Sequence, residues 1–324
     1  MLKMTARYMY SILSPKEQAV YKKIVEGIRR FDNSIRLNGS VSFESIKQIV
    51  EYVVLDYPQL YYADFSRVSF SQSVFFTEIG INYWLSKSEV ETFDREILKR
   101  VTEVFNSLHI SSLDENAKLN MIYDYMVKNV QYDFTPNGNA KYAHCIIGPV
   151  LYNKGVCEGI SKSFKLLCDA ASISSIVVTG TAVDITNNKN VNHAWNIARI
   201  ESTCAHVDVT WDICAFNSGN YFLDYFGLSD EEIGKDHFTE LKLPKCVGFS
   251  KSKSKKRIGL ATLNKSLLDF LGANKTQESF ELNSDINEAI FKHELQKAIN
   301  TSITSIQVDY SYNQHRNTVF VRKR

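Results

Sequence analysis

Three residues in separate segments of this 324-residue chain are of types that together support nucleophilic chemistry: Cys157, His193 and Asp208. Cys157 sits in GVCEGISKSFKLLCDAA, between Gly155 and Gly159, where a helical pattern of Ile160, Phe164, Leu167 and Ala171 begins. The first-turn amides and the dipole of a helix stabilise an anion, so a thiol at that position gains thiolate character. Its own backbone N–H can also donate to an oxyanion. The two glycines are read as leaving the sulfur uncrowded and open to a substrate backbone. Cysteine is among the most buried residue types, and Cys168, beside Leu166 and Leu167 in the same helix, reads as a core residue.

A thiol nucleophile needs a base, and a base needs an acceptor that holds its tautomer. The stretch VNHAWNIARIESTCAHVDVTWD reads as two strands, with residues up to Ile200 and from Thr203 to Trp211, joined by a turn at Glu201-Ser202. With Ile200 opposite Thr203, His193 faces Thr210 and Asp208 faces Trp195. His193 and Asp208 then share a sheet face as diagonal neighbours, about 7–8 Å apart and within side-chain reach. Trp195 and Trp211 read as core or cleft-wall residues.

The elements that must position these groups follow from periodicity. Ser14-Pro15-Lys16-Glu17 has the signature of a helix start, with Val20, Ile24, Ile28 and Phe31 at helical spacing after it. A second helix follows Ser42, and LYYADFSRVSFSQSVFFTEIGINYWL reads as two strands around a polar turn. Two helices (Val90 to Leu108, Leu119 to Val130) and a Pro-Gly loop at Thr135 to Asn139 lead to the Cys157 segment. A capping-box start at Ser229 to Glu232 opens a short helix that closes this region. GFSKSKSKKRIG (248–259) reads as a solvated basic connector. Beyond it, a helix with Ile286, Ile290 and Ile299 and a hairpin (Ile303–Tyr310, Thr318–Arg322) form a small appended unit.

GVCEGISKSFKLLC, NHAWNIARI and HVDVTWD, in that order, resemble the three motifs of the transglutaminase-like superfamily, in its bacterial branch. YDYMVKNVQYD before them and YFLDYFGLSDEEIGKDHF after them resemble that branch's flanks, so the likeness spans roughly residues 85 to 240. It implies an α+β fold with a papain-like core, the nucleophile helix packed on an antiparallel sheet. It also implies Cys157 as nucleophile, His193 as base and Asp208 as third member, with no metal or organic cofactor. The divisions expected are 1–85, a helix-and-hairpin region; 86–247, the catalytic core; 248–259, the linker; and 260–324, the appendage. The reaction implied is attack on a peptide or side-chain amide through an acyl-enzyme thioester.

Two departures from the pattern bear on that reaction. Glu201-Ser202 replaces the family's common Asp-Gly turn, and Glu158 stands where cross-linking members carry a Trp. A carboxylate there favours hydrolysis over cross-linking. A protein-glutamine acyltransferase and a non-catalytic protein-binding module on the same fold stay open as alternatives. Tyr132 and His144 lie upstream as candidate second oxyanion donors and read more simply as packing residues.

Composition bounds the rest. A hydrophobic share of 44% fits a packed globular protein, and a net charge of +2 offers nothing for nucleic acid or membrane binding. Six cysteines in a chain of this length, with no CxxC pair and no HExxH, read as free thiols without a structural metal. No apolar run approaches the roughly 20 residues of a membrane span, and the opening segment runs into a helix start rather than a secretory cleavage site. A cytoplasmic protein acting on a protein or peptide substrate is expected.

With Cys157 at a helix start beside an imidazole, limiting iodoacetamide at pH 6.5 followed by peptide mapping should label it before the other five cysteines. First labelling of Cys168 or Cys246 would count against the assignment.

Overall fold

The computed structural model describes residues 7–135, 141–184, 189–219, 223–249, 255–302 and 306–324. The architecture is α+β. Its centre is a five-stranded antiparallel sheet in the spatial order His237–Phe238, Ser174–Val183, Asn190–Ile200, Thr203–Val207, Phe226–Leu228. The helix Cys157–Ala170 packs on this sheet and is enclosed along most of its length, with Ile160, Phe164, Leu166 and Cys168 fully buried.

Two buried polar side chains tie that helix to the sheet beneath it. Asn196 Nδ2 donates to the carbonyls of Ser161 (3.0 Å) and Ile176 (3.2 Å), and Lys165 Nζ donates to the Ser175 carbonyl (2.8 Å). Buried polar groups are tolerated when satisfied in this way, and their directionality fixes the helix against sliding along the sheet. Asn196 and Lys165 are both fully enclosed.

The start of the helix is wrapped by the segment 142–149. Val156 donates its N–H to the Ala143 carbonyl (3.1 Å), which brings two backbones together at the helix entrance. A Cβ at Gly159 would stand 2.1 Å from the Ala143 oxygen, and one at Gly155 would stand 2.7 Å from Pro149 Cγ. The glycines that flank Cys157 therefore serve close packing of this strap. The expectation that they open the sulfur to substrate is corrected accordingly.

The N-terminal part supplies three helices (Tyr8–Ser11, Pro15–Arg30, Phe43–Asp56) and a three-stranded sheet ordered Ser34–Asn38, Phe76–Tyr83, Ala63–Gln72. Ser14 and Glu17 form the expected capping box with Pro15 in the first turn. The strand Ser34–Asn38 was not visible as a period in the sequence, since its apolar residues number only two. The hairpin tip is apolar rather than polar, with Val74 and Phe75 among the most exposed large hydrophobics. Asp56, enclosed at the end of its helix, anchors the start of the described chain by accepting from the amides of Met9 and Tyr10 and from Tyr21 OH (2.7 Å). One apolar core runs from Met9 to Cys246, so residues on both sides of position 85 share it.

The C-terminal part has its own core around Leu263, Phe270, Phe280, Phe291 and Val319. Two helices, Leu260–Gly272 and Glu288–Thr301, cover a sheet ordered Lys256–Ile258, Gln277–Leu282, Thr318–Lys323, Val308–Asn313. This is more structure than the helix and hairpin read from the sequence. The connector is shorter than its composition suggests, because Lys256–Ile258 pairs as a strand and Lys255 bonds to Asp224. Residues 250–254 of the connector, 136–140 of the Pro-Gly loop and 303–305 of the expected hairpin lie outside the described residues.

Replacing Gly159 by Ala forces a carbon against a backbone oxygen that cannot rotate away. The substitution should cost about 2–3 kcal/mol, read as a fall in Tm of about 5–10 °C by calorimetry. An unchanged Tm would mean that the strap 142–149 is not held against the helix.

Candidate active site

The register of the central hairpin is the one expected, with Ile200 opposite Thr203 and Asn196 opposite Val207. Glu201 takes the left-handed turn position at φ 52°, where a glycine or asparagine is the easier occupant. The second strand, however, ends at Val207. Asp208 is still extended (φ −112°, ψ 94°) but serves as N-cap of a helix, Val209–Asn217. Thr210 therefore does not face His193, whose cross-strand partner on the other side is Gly180. Asp208 keeps the expected parity because the extended backbone persists through it. Asp is a good capping residue, and its side chain accepts the first free amides of the helix here.

The Asp208 carboxylate is fully enclosed, and both oxygens are used. Oδ1 accepts from the amides of Thr210 (2.9 Å) and Trp211 (3.3 Å). Oδ2 accepts from His193 Nε2 at 2.7 Å and from His237 Nε2 at 3.1 Å. Burial alone would raise its carboxyl pKa, but the charge of His193 and the hydrogen bonds from both imidazoles hold it far below the ordinary carboxylate range.

His193 is 7% exposed, and Cys157 is its other electrostatic neighbour. With Nε2–H committed to Asp208, Nδ1 is the nitrogen free for the thiol. Burial alone would lower the proton affinity of the imidazole; the charge of Asp208, the hydrogen bond to it and the interaction with Cys157 outweigh it and raise that affinity well above the ordinary value. Cys157 is the first residue of its helix, partly exposed, and the N-cap residue Val156 makes no side-chain cap. The first-turn amides are thus not taken by a capping side chain. The other five thiols are all pushed up, burial being the largest cause in each.

Trp195 is enclosed behind His193, with its indole N–H donated to His206 Nδ1 (3.1 Å). It is a core residue and does not line the cleft. Trp211 is partly exposed and lies 5.5 Å from His193 between ring centroids. Glu158 accepts from His144 Nδ1 (3.0 Å) and Lys162 Nζ (2.6 Å). Burial alone would raise its carboxyl; the His144 hydrogen bond and the Lys162 charge outweigh it and hold the group down at about 2. The carboxylate next to Cys157 is therefore compensated, so it does not present the open charge expected from the sequence. That ion pair also engages His144, the upstream histidine. Tyr132 pairs in register with Gly155 and packs against Phe134, with ring centroids 4.9 Å apart and planes tilted by 55°.

Sequence reading did not single out Asn196, Asp236, His237 or Arg316. The adjacent acid and imidazole at 236–237 were a signal, but nothing in the local pattern says that they fold back onto Asp208. His193, Asp208 and His237 offer ligand atoms within 4.8 Å of one another, close enough to share a metal ion, and here spend them on each other. His206, Asp230 and Cys246 form a second such group. Its imidazole is committed too, accepting from Trp195 at Nδ1 and bonding Asp230 at Nε2 (3.0 Å).

The linkage of the His193–Asp208 pair to stability has a definite sign. Asp208, depressed on folding, stabilises above about pH 4 and loses that contribution as pH falls through its lowered folded value. His193, raised on folding, stabilises below about pH 6.5 and loses its contribution as pH rises through its raised value. In Asp208→Asn the Tm deficit against wild type should therefore be largest between about pH 4 and 6.5 and shrink on both sides. A deficit constant from acid to alkali would show that the pair is not ionised in the folded protein.

Residues 106–209 match the family model described as Transglutaminase-like superfamily. A search of the curated proteins finds no match. Among solved structures the chain is similar to a TGase at 12% identity and TM-score 0.32, over 70% of this chain and 58% of that one. It is also similar to a candidate cysteine protease of Cytophaga hutchinsonii, at 14% identity and TM-score 0.29 over 44% and 61% of the two chains. A candidate protease of Parabacteroides distasonis matches at 12% identity and TM-score 0.31 over 79% and 61%. The chain spans about three fifths of the length of these structures. The matched segment 106–209 carries Cys157, His193 and Asp208, the three residues that the sequence motifs single out.

Proposed function

We propose that Cys157, His193 and Asp208 form the catalytic triad of a thiol enzyme that cleaves peptide or side-chain amides in a protein or peptide substrate. The observation that carries this reading is the enclosed His193 imidazole, bonded through Nε2 to buried Asp208 and interacting electrostatically with a cysteine at an uncapped helix start. Cys157 thiolate attacks the amide carbonyl carbon, and the Cys157 backbone N–H donates to the oxyanion. The C–N bond breaks as His193 passes a proton to the leaving nitrogen, leaving a thioester. Water then attacks the thioester, His193 takes its proton, and the thiolate departs as the carboxylic acid is released.

Hydrolysis is favoured over cross-linking because a cross-linking site must hold a neutral amine in line and keep water out. Of the two tryptophans near the triad, Trp195 is enclosed and cannot wall a tunnel, which leaves Trp211 as the single indole able to border the cleft. The compensated Glu158 no longer supports this preference as an open charge. A cytoplasmic setting suits the six free cysteines. Among the described residues no helix is long and apolar enough to cross a membrane.

With a glutamine-containing protein and millimolar dansylated amine, ammonia release and peptide-bond cleavage measured together should exceed amine incorporation. Cys157→Ala and His193→Ala should abolish all three, and Asp208→Asn should lower them about 10³- to 10⁴-fold. Amine incorporation outrunning both hydrolytic products would make the protein an acyltransferase. A wild-type Cys157 that alkylates no faster than a free cysteine would favour a binding module.

A further inference from the structure

His193 shares its carboxylate oxygen with a second imidazole, and that imidazole is the middle of a longer chain. His237 Nε2 meets Asp208 Oδ2 at 3.1 Å while its Nδ1 meets Asp236 Oδ1 at 2.7 Å. Each ring nitrogen faces a carboxylate oxygen, an arrangement satisfied when both carry hydrogen. Asp236, itself fully enclosed, also accepts from Tyr225 OH (2.9 Å) at Oδ2 and from Arg316 Nη2 (2.8 Å) at Oδ1. Arg316, Asp236, His237, Asp208 and His193 thus form one hydrogen-bonded chain in which basic and acidic groups alternate, and buried charges persist when paired in this manner.

Arg316 comes from the C-terminal unit, in the turn between strands Val308–Asn313 and Thr318–Lys323. Its side chain is 6% exposed, bonds the Glu232 carbonyl, and lies 4.5 Å over the Tyr225 ring. The turn is latched from both ends: Asn313 Nδ2 (3.0 Å) and Thr318 Oγ1 (2.5 Å) both donate to buried Asp224, while Asn313 Oδ1 accepts from the Arg316 amide (3.3 Å). On the other side of His237, Gly180 admits the strand His237–Phe238 to the sheet. A Cβ there would stand 2.0 Å from the Phe238 carbonyl oxygen. The approach of His237 to Asp208 is therefore built by packing at both ends.

We infer that His237 and Arg316 are positioning residues of the thiol centre, so that the C-terminal unit completes the acid–base chain behind Cys157. The inference rests on the proposed triad. His237 fixes the rotation of Asp208 by engaging the same oxygen that receives His193. It also sets how readily His193 gives up its proton, because the two rings lie 5.3 Å apart between centroids and a charge on one opposes a charge on the other. The remaining charged groups around His237 are Asp208, Asp236 and Arg316, with His206 beyond Trp195 and Cys157 beyond His193. A base that must take a proton from water during thioester hydrolysis benefits from a neighbouring cation that keeps it from holding its proton too firmly.

The test reads the alkylation of Cys157 by iodoacetate against pH. Iodoacetate is an anion and reacts fastest while the thiolate stands beside a protonated His193, so the alkaline limb of the profile reports the loss of that proton. In His237→Phe and in Arg316→Met the limb should move to higher pH by about half a unit or more. Hydrolysis by both variants should lose about tenfold or more in kcat with KM little changed. Arg316→Lys keeps the charge and should return the limb towards wild type. Where Phe or Met prevents folding, His237→Gln, which keeps a donor without a charge, should show the same shift and Arg316→Lys should not. Variants that lower Tm but leave the limb in place would overturn the inference. A wild-type profile with no enhanced Cys157 reactivity would instead overturn the triad itself.

Discussion

The structure around the site depends on the satisfaction of one buried carboxylate. Asp208 has no water to meet its charge, so its enclosure is tolerable only because four N–H groups converge on it. Two are amides of the helix it starts and two are imidazoles from different strands of the sheet. The same contacts therefore end a strand, begin a helix and orient His193. Loss of any one donor leaves the others to carry a buried charge, which explains why the neighbourhood is packed so closely around it. Its own amide is spent on the Tyr225 carbonyl at 2.8 Å, so the backbone at this corner is held as well as the side chain.

Cys157 depends on a second set of constraints, those that place one helix end. Asn196 and Lys165 clamp the helix body to the sheet, and the 142–149 strap closes over its start. Gly159 and Gly155 are required because backbone and proline ring approach where a side chain would otherwise sit. The start of the helix that carries Cys157 is thus held by these contacts, while His193 is held by Asp208. Glu158 completes this corner, and its pairing with His144 and Lys162 compensates the negative charge next to Cys157.

The parts on either side of the segment 106–209 do not merely flank it. The N-terminal helices share the core that runs from Met9 to Cys246, with Asp56 tying the first described helix to the third. The C-terminal unit has a separate core, yet its contact with the rest of the protein is made of buried hydrogen bonds and ion pairs at Asp224 and Asp236. Polar contacts of that kind fix orientation more firmly than an apolar face would, since each bond has a direction as well as a distance.

What the sequence determined by itself was local or near-local. The parity of His193 and Asp208 follows from an alternating pattern and a two-residue turn, and the register of Ile200 opposite Thr203 is the one that pattern implies. The capping boxes at Ser14 and Ser229 are short-range hydrogen bonds between residues three apart, and both are present. The start of a helix at Cys157 follows from periodicity. Tertiary structure decided the rest. Whether the strand stops at Val207 depends on the carboxylate of Asp208 finding amide and imidazole donors at once. The purpose of Gly155 and Gly159 depends on a strap that no helical period reveals. His237 reaches Asp208 across 29 positions, and Arg316 reaches Asp236 across 80. Side-chain pairs so far apart leave no trace in spacing or composition, because only the closing of the sheet and the docking of the C-terminal turn bring their atoms within bonding distance.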